Sequence, residues 1–365
     1  MRPATPPRLP LTALVLSGLA LLAAFAWWRL GAGSAPVLVE RRPVGIMGTS
    51  CTLGGVVPAR EEARGTAALA AAEGELRRLE AALSTWIEAS EISRLNAAAA
   101  DVAVPLSRDS RALLDRARQL HRESAGAFDI TCRPLVTLWR RAGEAGRLPT
   151  LPEIAAARAA SSWEQLELTA EGARKRSASV QVDLGGIAKG YAIDRALESL
   201  RARGLAGGLV EVGGDLAVFG TAPDGRAWEI AVRDPRSEAV WGTLRLRAGA
   251  VCTSGDYARY VEIEGRRHSH IVDPRSGQPA DRAASVTVVA PDATTADAWA
   301  TALAVLGPEG LPLLPAPGTV EALLVFRDDD GRLHASATPG IARLVTPEDP
   351  GFVRLLAGEA LLAGR

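Results

Sequence analysis

The chain of 365 residues has little cysteine, few aromatics and no net charge. Two of these shortages close off a class of function. Its three cysteines, Cys51, Cys132 and Cys252, cannot all pair with one another. They are widely spaced and none stands in C-x-x-C, so neither a disulfide framework nor a thiolate zinc site is indicated. Each lies among small or apolar neighbours, as buried thiols do. With 42 basic and 42 acidic residues, no overall field draws the chain toward nucleic acid or an acidic membrane surface. Aromatics make up 4%, eight of them tryptophan. There is no fixed-period repeat, no low-complexity segment, and neither G-x-G-x-x-G nor G-x-x-x-x-G-K-[ST], so no Rossmann or Walker assignment is licensed.

What the chain does have is 47% hydrophobic residues, enough for a large core in one domain or two. At its start, Arg2 and Arg8 precede an apolar run, Leu11 to Trp28, broken by Thr12, Ser17 and Gly18. Positive charge followed by an apolar segment is the pattern of export. The run borders on the length of a membrane anchor, with Trp27, Trp28 and Arg29 where an interfacial belt would lie. A cleaved signal ending at Ala35 is the rival reading, disfavoured by Pro36. The absence of Cys from Leu11–Ala35 excludes a lipoprotein anchor at this junction. An uncleaved anchor with the Arg-rich end cytoplasmic is the expectation, and either reading places the bulk of the protein outside the cytoplasm.

Beyond the linker, Val37–Pro58 predicts a strand pair with M-G-T (Met47–Thr49) at its middle. Leu69, Ala72, Leu76, Leu79 and Leu83 form one helical stripe. A second helix is expected from an N-cap at Ser110, and a surface helix at Leu151–Ala160, entered through Pro152. Val180, Val182 and Leu184 alternate like a strand, Gly185 and Gly186 break it, and a helix follows with Gly204 as its cap. Strands then dominate: Leu209–Val218, Trp228–Val232, Thr243–Leu246, Tyr260–Ile263, His268–Val272 and Ser285–Val289. A helix at Thr294–Leu306 and a hairpin around Asp328–Gly331 complete an α+β pattern, helices first and then sheet.

Three stretches carry chemistry. In V-D-L-G-G-I-A-K-G, Asp183 precedes a glycine turn and Lys189 sits in the first helical turn, an arrangement suited to an anion. A plain tight strand–helix junction explains it equally well. His268 and His270, two apart on an expected strand, would share a face, yet no third metal ligand stands nearby. Asp297 and Thr301 are i and i+4, placing a carboxylate and a hydroxyl on one helical face. Such hard oxygens suit Mg²⁺ shared with phosphate far better than zinc. An exposed Asp beside a Thr that bonds its own backbone is the plainer alternative.

Each segment is ambiguous alone. In order and spacing, M-G-T, S-T-W-…-S-E-I-S-R-L-N (84–96), F-D-I-T-x-x-P-L-V-x-L-W (128–139), D-L-G-G-I-A-K-G-Y-A-I-D (183–194), G-G-D (213–215), T-S-G-D-Y (253–257), H-I-V-D-P-R-S-G (270–277) and A-D-A-W-A-T-A-L (296–303) resemble the ApbE family of FAD:protein FMN transferases. The resemblance runs from about Arg42 to Leu306. It implies an α+β fold with N-terminal helices packed on mixed or antiparallel sheets, as a domain over 37–350 between the N-terminal signal or anchor and linker (1–36) and a C-terminal tail (351–365). It implies splitting of FAD with Mg²⁺, transfer of FMN to a Thr or Ser of an acceptor flavoprotein, and release of AMP, at the periplasmic face of a bacterial inner membrane. Carried over by motif, FAD would be held by Met47, Trp86, Ala127, Phe128, Asp129, Asp183, Lys189 and Ile271. The metal would be held by Asp297, Thr301 and backbone oxygens of Gly186 and Ala300. His270 would help activate the acceptor hydroxyl, with Asp183 and Lys189 as further catalytic residues, the lysine neutralising diphosphate charge. Glu211 departs from the neutral Asn expected before G-G-D. Hydrolysis of FAD to FMN and AMP, or flavin binding without turnover, remain open alternatives, although a pure binder would not need the metal pair.

Overall fold

The computed structural model describes residues 35–358 apart from 238, 256–259 and 329, with the backbone of 361–362. The N-terminal apolar run read as an anchor or signal lies outside the described residues, as do Asp256 and Tyr257 of T-S-G-D-Y. Among the described residues, no helix is long and apolar enough to cross a membrane.

The first hairpin forms as expected, β1 (Pro36–Arg41) pairing antiparallel with β2 (Cys51–Pro58). Between them Met47 is held at a φ of 47°. Helix α1 (Glu62–Leu83) buries the predicted stripe, Leu69 to Leu83. Inside the polar stretch that follows, a short helix not read from the sequence, α2 (Glu91–Ala97), is capped by Ser90 and buries Ile92 and Leu95. Helix α3 (Arg108–Glu123) starts earlier than expected. Ser107, not Ser110, is its cap: the Ser107 hydroxyl accepts the Ser110 N–H, and Ser110 is fully buried. Helix α4 (Arg133–Ala145) ends at left-handed Gly146, and α5 (Leu151–Ala160) opens with Pro152 and a Thr150–Glu153 capping box. A small hairpin, β3 (Leu166–Thr169) and β4 (Gly172–Lys175), follows.

The strand expected over Val180–Leu184 is a correction. Val180, Val182 and Leu184 are buried as the alternation requires, but only Gln181 makes a bridge, to Cys132. The reason is Asn96. Its side-chain amide donates to the Val182 carbonyl at 2.8 Å and its side-chain oxygen accepts the Val182 N–H at 2.6 Å. A side chain therefore occupies the backbone groups that a neighbouring strand would use. Helix α6 (Ala188–Ala202) then runs to Gly204 at a φ of 71°.

The alternation over Leu209–Val218 is two strands, not one: β5 (Gly207–Val212) and β6 (Asp215–Gly220). Gly213 and Gly214 both take positive φ, which makes the two-residue hairpin turn. There follow β7 (Trp228–Arg233), β8 (Val240–Leu246), β9 (Ala248–Gly255), β10 (Tyr260–Ile263), β11 (Arg266–Ser269), β12 (Ala283–Ala290), α7 (Ala293–Leu306), β13 (Glu321–Arg327) and β14 (Arg332–Ala337). The strand expected over His268–Val272 ends at Ser269, so His268 and His270 do not share a strand face. After α8 (Ile341–Leu344) come β15 (Val345–Pro347), α9 (Pro350–Leu356) and β16 (Leu361–Leu362).

Among the described residues, the central sheet has nine strands in the order β1-β2-β5-β6-β9-β12-β13-β14-β16, and every pairing within it is antiparallel. One core packs α1, α6 and α7 on one face, and a second packs β7, β8 and β15 on the other. Phe352 and Leu355 of α9 are fully buried in that second core, so packing continues past residue 350. This is an α+β fold built on antiparallel sheets. Its central sheet draws strands from both ends of the chain, which a reading of helices first and sheet afterwards does not capture.

Candidate active site

The site grows from the place where α6 and α7 touch. A Cβ on Gly190 would stand 2.2 Å from the Ala293 carbonyl oxygen, so only glycine permits this approach. The Gly190 N–H donates to Asp297 Oδ2 at 3.0 Å. One turn along α6, Asp194 accepts the N–H groups of Ala293 and Thr294 at 2.7 and 2.8 Å, adding a carboxylate to the cap that Asp292 makes at the start of α7. Lys189 points across to β6 and pairs with Asp215, which is 1% exposed and also accepts the Thr253 N–H at 3.0 Å. Gly186 lies directly against Thr301, since a Cβ there would fall 2.8 Å from the threonine Oγ1. Gly186, Lys189, Asp297 and Thr301, singled out in the sequence far apart, thus meet at one junction.

Charge there is strongly perturbed. Burial, reinforced by Asp215, pushes the Asp297 carboxyl up to about 7. Burial likewise lifts Asp194 to about 6 against its hydrogen bonds. For Lys189, burial opposes the ammonium, but Asp297 and Asp215 outweigh it and hold its pKa above the usual lysine value. Two acids around one lysine leave an excess of negative potential that a divalent cation would relieve. The donor set fits Mg²⁺, because Asp297 and Thr301 offer hard oxygens, while the nearby Cys252 is kept a thiol by burial and is turned onto the Ala293 carbonyl at 3.6 Å. Among the described residues, no three His, Cys, Asp or Glu side chains converge as a ligand set. A cation here would therefore rely on hydroxyl, backbone and substrate oxygens as well. The plainer alternative of an exposed aspartate does not hold, since Asp297 is 4% exposed.

Asp183 ties two motifs together: its N–H donates to the Ile130 carbonyl at 2.7 Å, and its carboxylate accepts the Gly185 N–H at 2.8 Å. Arg133 approaches the same carboxylate at 3.4 Å. Phe128 and Ala127 are buried, the phenyl ring within the helical-face core, whereas Trp86 is 86% exposed and is the ring of the two that a ligand could stack on. Asp129 is turned inward onto the Thr131 N–H and hydroxyl, both at 2.7 Å, and burial raises its pKa. Met47 and Ile271 are half-buried against the same core, Ala300 is fully buried, and His270 is exposed just past β11. Its neighbour His268 is buried and bonded to Asp281, which removes the reading of the two histidines as a metal pair.

The sequence reading missed Asp215, Asp194, Gly190 and Asn96. All four lie inside motifs already marked, as G-G-D, Y-A-I-D, K-G-Y and R-L-N, but their partners are tertiary and leave no trace in spacing.

The sequence pattern of the ApbE family matches residues 47–324. A protein of Klebsiella pneumoniae named FAD:protein FMN transferase is 32% identical over 280 residues, covering 74% of this chain and 80% of its own length. One of the same name from Treponema pallidum is 33% identical over 358 residues, covering 90% of this chain and 98% of its own length. The crystal structure of Pseudomonas stutzeri flavinyl transferase ApbE in its apo form superposes with a TM-score of 0.73 at 35% identity, covering 85% of this chain and 97% of that one.

Proposed function

The chain belongs to the ApbE family, and on that premise we propose that it is an FAD:protein FMN transferase, dependent on Mg²⁺. The observation that carries the reading is the buried junction of Lys189, Asp215 and Asp297 beside Gly186 and Thr301. An oxygen of an acceptor Thr or Ser attacks the phosphorus on the FMN side of the FAD diphosphate. The P–O bond to the AMP phosphate breaks, FMN becomes a phosphoester of the acceptor, and AMP leaves. When bound, Mg²⁺ would neutralise charge on the diphosphate oxygens, held by Asp297, Thr301 and the carbonyls of Gly186 and Ala300. Lys189 supplies a second positive charge, kept ionised by its acids. His270 accepts the acceptor's hydroxyl proton, a role open to an imidazole near neutral pH. Trp86 offers the exposed ring face for the flavin or adenine, while Asp183 and the Ala127–Asp129 turn hold the ligand through their neighbouring backbone.

The N-terminal positive charges and apolar run support attachment to a bacterial inner membrane with this domain in the periplasm, where a membrane redox protein would be the acceptor. The test incubates the full chain with FAD, Mg²⁺ and an acceptor domain, with Asp297→Ala in parallel, and weighs the acceptor by mass spectrometry. A gain equal to FMN minus water, absent in the variant, is expected. AMP and free FMN without acceptor modification would make the protein a hydrolase, and bound but uncleaved flavin would make it a carrier.

A further inference from the structure

His270 is the first residue beyond β11, and the loop from there to Asp281 passes between two cavities. One, of about 410 Å³, is walled by Trp139, Leu151, Ile154, His268 and Asp281; the other, of about 170 Å³, by Asp273, Gln278, Asp281 and Leu306. Packing anchors the loop at Val272, buried beside Trp139 and Ile154, and hydrogen bonds hold the stretch on either side of His270. They converge on Asp281. Its Oδ1 accepts the Ser269 N–H at 2.8 Å, and its Oδ2 lies 3.0 Å from His268 Nδ1. The Ser269 hydroxyl in turn accepts the Ile271 N–H at 3.1 Å, and the Ile271 carbonyl accepts the Ala280 N–H at 2.8 Å. Both residues flanking His270 are thereby pinned. His268 is braced on the far side by the Trp139 ring, 5.3 Å between centroids, and the Trp139 indole N–H donates to the Gly277 carbonyl at 2.9 Å within the same loop. Asp281, His268, Trp139 and Gly277 make a closed circuit around the backbone that carries His270.

We propose that Asp281, with His268 as its brace, is a positioning residue that sets the backbone of His270 so that the imidazole can take the acceptor's hydroxyl proton, without contacting FAD. The proposal rests on the reading of His270 as the acceptor-activating base. A carboxylate serves because it accepts from both partners at once, one oxygen each. Asparagine can keep the bond from the Ser269 N–H through its carbonyl and offer its amide to His268, whereas alanine loses both.

The test compares Asp281→Ala, Asp281→Asn, His270→Ala and the Asp281→Ala/His270→Ala double variant of the full chain. It measures kcat for FMN transfer, the KM for acceptor, FAD affinity by fluorescence titration and Tm. A small displacement of a catalytic group can lower rates by about a hundredfold, so Asp281→Ala should lose roughly ten- to a hundredfold in kcat with FAD affinity unchanged. Asp281→Asn should recover most of it. In the His270→Ala background the Asp281→Ala change should add nothing, since the group it positions is gone. If Asp281→Ala costs the same factor with or without His270 while His270→Ala is itself impaired, the positioning role is overturned and the reading of His270 stands. If His270→Ala transfers FMN at the full rate, the base assignment fails and the proposal falls with it. Loss of Tm together with FAD affinity in Asp281→Ala, unrescued by asparagine, would make Asp281 a structural residue only.

Discussion

At the α6–α7 junction Asp297 and Asp215 are 4% and 1% exposed and are held by backbone N–H groups and the Lys189 ammonium, whereas His270 stands exposed on a loop between two cavities. The first region is preorganised at the cost of desolvating charge. The second is anchored by Val272 and a few hydrogen bonds, and its exposed histidine faces outward where a large partner can reach it. A diphosphate is the same in every turnover and rewards a rigid, charged cradle, because fixed dipoles and charges need no reorganisation when a P–O bond breaks. An acceptor is a protein surface, and the group that meets it must be reachable from outside.

Breaking the rigid region should have the largest effect. Asp297→Ala removes the carboxylate proposed to hold Mg²⁺, and AMP release followed by chromatography should fall by about a thousandfold or more. The same acids predict a pH effect on stability. Asp297 and Asp194 have folded-state pKa values raised to about 7 and about 6, so the folded chain binds their protons more tightly than the unfolded one. Their contribution to stability is therefore fullest below the ordinary carboxylate range and is lost as pH rises toward about 7. In EDTA, Tm should fall between about pH 5 and about pH 7.5, Mg²⁺ should restore more at the upper end, and Asp297→Asn should flatten the slope. A Tm indifferent to pH in both proteins would mean that the two carboxyls are not desolvated as the geometry requires.

Next in size is Gly190→Ala. Its methyl would drive α6 from α7, since the contacted atom is backbone and cannot rotate away. Overpacking of this kind costs about 1–3 kcal/mol, so thermal unfolding should move down by several degrees and Mg²⁺ should no longer raise Tm. An unchanged Tm with intact Mg²⁺ response would show that the junction is softer than its geometry implies.

On the open side the effects should be smaller and should separate binding from folding. Trp86→Ala is expected to weaken FAD binding by about tenfold with Tm unmoved, as befits a ring 86% exposed. Phe128→Ala should do the reverse, costing about 3–5 kcal/mol of stability, because its ring is core. Denaturant titration alongside FAD fluorescence measures both. Equal losses of affinity in the two variants would mean that Phe128 turns toward the ligand on binding.

The pattern of these effects follows what was legible in the sequence. Helices with an apolar stripe, such as α1, and the Pro152 entry of α5 could be read directly, because local spacing decides them. So could the shared helical face of Asp297 and Thr301, since i and i+4 on a helix is a local fact. The strand expected at Val180–Leu184 failed because Asn96, more than eighty residues away, takes its hydrogen bonds. The strand over Leu209–Val218 broke at Gly213-Gly214, a turn signal that was visible but read as part of the motif. Asp215 and Asp194 escaped notice as site residues because what matters about them is burial and partner, both tertiary.

Glu211 tests how far the rigid region extends, and here the smallest effect is expected. It stands where a neutral Asn was anticipated, and its Oε1 accepts the Gly214 N–H at 2.7 Å across the turn that delivers Asp215. The bond is local and partly exposed, and the position of Asp215 is fixed independently by Thr253 and Lys189. A shorter, neutral asparagine reaches the same turn, since Asx side chains bond backbone N–H groups two or three residues on. Glu211→Asn should therefore change stability by less than about 1 kcal/mol and kcat by less than about twofold. A larger loss of kcat at unchanged Tm would show that the carboxylate takes part in the charge balance around Lys189, and that the rigid region reaches the rim of the sheet.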